Sequence, residues 1–165
     1  MYSRSGLRRR QTSDQCGRYN ITMQRLSMSH FRRIVERVVE TLPPEIKQHL
    51  HNIVVDIQDE PDEELLEDMG FTDAEIDDGA TLYGLFVPME SAGGWGGDEM
   101  LDQPRRILIF KRPLEEDFPD RRQLLIEIRK TVIHEIAHHF GYSDRDLERF
   151  DDTPDPFGDD PELFA

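Results

Sequence analysis

A chain of 165 residues is long enough for one domain with its own core and too short for two. Its formal charge of −15 is uneven, because residues 1–27 carry six Arg against the single Asp14 and leave a body of net −20. Such a body repels phosphate backbones and excludes nucleic acid as a natural partner. A lone Cys16 excludes a disulfide framework and a cysteine zinc site, and no apolar run approaches the roughly 18 residues of a membrane span.

The leader, residues 1–27, lacks the apolar stretch of a secretory signal. It is Arg- and Ser-rich like a transit peptide, yet without amphipathic pattern, and reads as a disordered extension or an upstream start to a protein beginning at Met28. With the single cysteine this predicts a cytoplasmic protein with no membrane partner. From Ser29, Phe31, Ile34, Val35, Val38, Val39 and Leu42 recur at three- and four-residue steps until Pro43-Pro44, which predicts an amphipathic helix. One further turn at 45–50 precedes Ile53 to Ile57, a β-branched run that predicts a strand.

Residues 56–78 hold twelve acids and no base, a solvated face with a short helix at Glu63 to Met69 closed by Gly70. The spacing of a calcium loop is missing from it. Strands are expected at Thr81 to Val87 and Arg106 to Phe110, separated by the glycine-rich loop SAGGWGGDEMLDQP, which reads as a plain connection or a rim that touches substrate. After Pro113 comes an acidic turn. Asp120 then caps a long helix from Arg121 to about Phe140, with Leu124, Leu125, Ile128, Val132, Ile133, Ile136 and Ala137 as its apolar positions and Gly141 as its stop. Beyond a helical turn around Leu147, residues 151–165 read as a disordered acidic tail, so the domain proper spans 28–150.

The long helix contains H-E-x-x-H at 134–138. At about 100° per residue, His134 and His138 lie some 40° apart and one turn along, so both imidazoles can reach one zinc ion at about 2.0–2.1 Å. Glu135 is turned away from that line, near enough to take a proton from a metal-activated water as general base. A catalytic zinc usually takes three protein ligands, and the helix supplies two. Gly141 can turn the chain back so that Asp144 reaches the metal, with Asp146, Glu148 or a histidine as alternatives. Tyr142 is a candidate to steady a developing oxyanion. His139 reads as a surface or supporting group, and His30, His49 and His51 as solvated.

The extended pattern H-E-x-x-H-x-x-G-x-x-D at 134–144 resembles the zincin metallopeptidases, and more closely the bacterial minimal-zincin (zincin-like) family. MSHFRRIVERVVETLPPEI, IVVDIQDEP and KRPLEED carry the resemblance over roughly residues 28–150. It implies an α+β fold, a small zincin-like domain in which the active-site helix packs with a second helix against a short β-sheet. It also implies His134, His138 and Asp144 as zinc ligands, Glu135 as catalytic base, peptide-bond hydrolysis, and an edge strand, here Thr81 to Val87, that binds extended substrate. There are two departures. The last methionine is Met100, so no methionine turn follows the zinc helix, and Arg145 stands where family members tend to carry an acid.

The reading is thus a zinc metallopeptidase acting on peptide or protein substrates, with the oligomeric state open and a monomer sufficient. The alternative is a non-catalytic zinc-binding adaptor that docks peptides on the same scaffold. Glu135 speaks against it, because a structural zinc has no need of a base.

Overall fold

The computed structural model describes residues 7–9, 25–87, 105–151 and 157–158. Its architecture is α+β with a short, three-stranded sheet, as expected, and helices cover both faces of that sheet. The first helix, α1 (Met28–Glu40), starts where the Ser27 hydroxyl accepts from His30 N–H, and buries Phe31, Ile34, Val35 and Val38 at helical spacing. Pro44 is the first residue of α2 (Pro44–Lys47), a position where its missing N–H costs nothing. A 3-10 turn, Leu50–Asn52, leads into β2 (Ile53–Gln58).

The acidic block is amphipathic rather than wholly solvated. It forms α3 (Glu63–Asp68), capped by Asp62, and α4 (Asp73–Asp77), opened by a Thr72–Glu75 capping box that the charge count alone concealed. Gly70, at φ 81°, ends the first of these in the left-handed region. Leu66, Met69 and Phe71 are buried beneath the acids against Leu82, Leu85, Leu108 and Phe110, which makes a second core on the far face of the sheet.

The single strand expected at Thr81 to Val87 is two, β3 (Ala80–Leu82) and β4 (Gly84–Val87). Leu82 and Leu85 share the second core while Tyr83 and Phe86 share the main one. A continuous strand would place residues three apart on opposite faces, so the alternation slips at Tyr83–Gly84. Tyr83 is anchored there, with its hydroxyl on Asp117 and its ring edge-on to Phe118 at 5.5 Å. β5 (Arg105–Phe110) is central, in the order β2-β5-β4, parallel to β2 and antiparallel to β4.

The acidic turn expected after Pro113 lies within a helix, α5 (Lys111–Asp117), which tolerates the proline in its first turn. It ties down the segment before α1. Leu26 N–H donates to Glu115 Oε1 at 2.9 Å, and the buried Lys111 ammonium donates to Glu115 Oε2 at 2.8 Å. The boundary expected at Met28 is therefore crossed, since Leu26 is buried in the main core and Ser27 caps α1. Of the leader expected to be disordered, Leu7–Arg9 form β1, antiparallel to β3. The rest of the leader before Arg25, the glycine-rich loop and most of the tail lie outside the described residues.

The long helix is α6 (Arg121–His139), with Asp120 as N-cap. All seven expected apolar positions are buried, and each fully buried large side chain contributes roughly 1.5–3 kcal/mol. α6 packs on α1 and on β4 and β5, and its C-terminus returns through α7 (Asp144–Asp151), whose Leu147 and Phe150 join the main core. Phe157, in the stretch expected as tail, is buried there too. No helix among the described residues is long and apolar enough to cross a membrane.

Candidate metal centre

α6 ends as its sequence predicts. Gly141 adopts φ 77°, and Tyr142 N–H reaches back to Ala137 O at 2.9 Å, the bond that closes a helix through a left-handed residue. A Cβ at Gly141 would meet nothing within 4 Å, so the demand for glycine comes from the backbone conformation alone. This turn launches α7 back toward the face of α6 that carries His134 and His138.

Those two imidazoles are half-buried neighbours, their ring centroids 6.3 Å apart and their planes perpendicular. Burial, and then the neighbouring His134, push the proton affinity of His138 down, while the Asp144 carboxylate pulls it back up. A lowered value favours the neutral ring, the form that ligates a metal. Asp144 is exposed, and its carboxylate makes no hydrogen bond or ion pair among the described residues. Two imidazoles and a carboxylate are a donor set that zinc accepts. Among the described residues, however, no three His, Cys, Asp or Glu side chains converge as a ready-made metal cage.

Asp146 is differently employed. Its carboxylate accepts from both the N–H and the hydroxyl of Ser143, at 3.0 and 2.7 Å, while Asp146 N–H donates to Ser143 Oγ at 3.3 Å. These bonds hold the Asp146 carboxyl below the usual range. They also make Ser143 the cap of α7.

Glu135 is 4% exposed, and its Oε2 accepts from Phe86 N–H on β4 at 2.9 Å. Burial pushes its carboxyl up to about 7, against the opposing pull of that bond. A proton affinity near neutrality suits a group that must take a proton and pass it on. It also carries a stability signature in the metal-free protein. A carboxyl raised in the folded state costs nothing while both states are protonated, and lowers stability progressively as pH rises from the ordinary value of 4.5 to about 7. Metal-free Glu135→Gln should therefore be more stable than the parent by about 3 kcal/mol at pH 8, with the gap closing as the solution is acidified. Urea unfolding of both proteins at pH 5.5 and pH 8 measures it, and a gap that ignores pH would refute the buried, raised carboxyl.

The remaining histidines divide. His139 is exposed and stacks on Phe86, centroids 3.8 Å apart, so it lines the β4 side of α6 rather than the His134–His138 face. His51 sits 2.8 Å from Gln48 O, and His30 lies half-buried beside Arg121, with burial lowering its proton affinity. His49 is not solvated. It stacks on Phe140 at 4.0 Å, and its Nε2 lies 2.9 Å from the Tyr142 hydroxyl, which donates to Glu45 O at 3.0 Å. Since that hydroxyl has one proton and gives it to Glu45, His49 Nε2 carries the proton it shares with Tyr142. The clamp holds the turn before Asp144 and commits Tyr142 to α2, which removes it as an oxyanion donor. The partners lie 93 residues apart, and no local pattern signals them.

Among curated proteins none matches this chain. Residues 50–153, well over half of it, match the family description zincin-like metallopeptidase, a span that runs from the 3-10 turn before β2 to the end of α7 and includes all four candidate residues. The chain belongs to the zincin-like metallopeptidase family.

Proposed function

We propose that this protein is a zinc-dependent peptidase in which His134, His138 and Asp144 hold the metal and Glu135 is the general base. The observation that carries the reading is the division of labour at the end of α6: two neighbouring imidazoles on one face, and between them in sequence a buried carboxylate held by a strand edge. Zinc, when bound, supplies Lewis acidity that polarises a peptide carbonyl and acidifies a water molecule. Glu135 takes the proton of the attacking water. With Oε2 held by Phe86 N–H, Oε1 is the oxygen that receives it and later returns it to the leaving amine.

Asp144 completes the ligand set by turning its exposed carboxylate toward His138, whose proton affinity it already raises. Asp146 is spent on Ser143. The buried Glu135 also weighs against a zinc-holding adaptor, which would gain nothing from a desolvated carboxylate between its ligands. Substrates on this reading are peptides or unfolded segments that lie extended along β4, and the family membership supports zinc as the metal.

The test is cleavage of a mixed peptide library by the full chain. Zinc-loaded protein should cut, chelator should stop it, and restored zinc should revive it. A zinc-loaded protein that cuts no peptide would reject the assignment.

A further inference from the structure

We infer that Phe86 and Gly84 of β4 are positioning residues for the general base: the Phe86 N–H holds one oxygen of Glu135, and the bare Cα of Gly84 lets the strand lie close enough to α6 to do so. The inference rests on the role of Glu135 given above. β4 pairs with β5 in the register Gly84–Ile109 and Phe86–Ile107, and just before it Tyr83 O accepts from Phe110 N–H at 2.9 Å. Antiparallel pairing alternates, and Phe86 N–H points away from β5 to Glu135, so within β4 Leu85 and Val87 turn their backbone groups toward β5 while Gly84 and Phe86 turn theirs outward. An outward N–H on an edge strand is open to any partner. That of Phe86 is taken by Glu135 in a buried setting.

The bond requires close contact between strand and helix, and Gly84 sets it. A Cβ built on Gly84 would stand 2.5 Å from Thr131 Cγ2 and 3.1 Å from Leu108 O. The first distance is closer than side chains approach one another, so alanine must push β4 or Thr131 aside. Thr131 precedes Glu135 by four residues, one turn up the same face of α6. The point where strand and helix touch is thus one turn from the base, while His134 and His138 point along a different line. Because Phe86 N–H is engaged, an extended substrate on this edge pairs with the N–H and C=O of Gly84 and the C=O of Phe86. One short strand therefore aligns both the substrate and the group that acts on it.

Gly84→Ala should leave zinc affinity at the parental value and lower kcat by about a hundredfold, the cost of displacing a reacting group by about an ångström. Adding Thr131→Ser should restore most of kcat, because serine keeps the hydroxyl bond to Glu127 O, 2.8 Å in the parent, and lacks the methyl that alanine would strike. Parental kcat in Gly84→Ala, or no recovery in the double variant, would overturn the inference. Backbone amide exchange in the full chain reads the same contact without catalysis. Phe86 N–H should exchange faster by about tenfold or more in Glu135→Ala, the effect of losing a charge-assisted hydrogen bond, and stay slow in Glu135→Gln, which keeps an acceptor oxygen. Exchange indifferent to Glu135→Ala would overturn it as well. A zinc-loaded parent that cleaves no peptide would reject the peptidase reading, and the exchange result would still decide whether β4 holds Glu135.

Discussion

Zinc-loaded Glu135→Gln should keep its metal and lose hydrolysis, with kcat reduced by about 100- to 10,000-fold, the range that a positioned acid–base group supplies. Glutamine has the shape of glutamate, and its carbonyl oxygen can still accept from Phe86 N–H, so neither β4 nor α6 needs to move. The imidazoles of His134 and His138 are untouched, and zinc stays. What disappears is the buried carboxylate oxygen that, on the proposed role, takes a proton from the attacking water. The effect should therefore fall on kcat, with zinc content unchanged. Metal analysis beside steady-state peptide cleavage separates the two. Equal cleavage by variant and parent would sink the assignment of Glu135 as base.

Asp144→Ala should weaken zinc affinity by at least about tenfold, the lower end of what even a supporting partner of a metal ligand is worth, whereas Asp146→Ala should leave it unchanged. The two carboxylates lie two residues apart in the first turn of α7, yet their circumstances differ. Asp144 is exposed, its carboxylate makes no hydrogen bond among the described residues, and it acts on His138 through its charge. Asp146 accepts two hydrogen bonds from Ser143 and so serves the start of α7. Losing it should lower stability, as the loss of a helix cap does, with the metal retained. A chelator competition titration beside urea unfolding measures both. The reverse ranking of zinc affinities would give the third ligand to Asp146.

Much of this was legible in the sequence because it depends on near neighbours. The 3.6-residue period identified α1 and α6 and their buried positions. The four-residue spacing of His134 and His138 requires one face of a helix whatever surrounds it, and Gly141 ends that helix for a backbone reason that no tertiary contact alters. The acids of residues 56–78 were visible as a charge block. The apolar residues that make α3 and α4 cover the far face of the sheet were outnumbered by them in the same stretch.

Only the tertiary structure decided the rest, because it depends on contacts between residues far apart in the chain. The slip at Tyr83–Gly84 arises from two cores pulling on opposite faces of one strand, and a window of seven residues does not reveal two cores. His49 reads as a surface histidine until α2 is brought against the end of α6 and Tyr142 meets it. Asp144 and Asp146 are equivalent as letters, and Ser143 tells them apart by occupying one of them. The motif alone marked Glu135 as a candidate base. That it is buried, raised to about 7 and held by Phe86 required β4 to lie along α6, with no side chain on Gly84 to keep strand and helix apart.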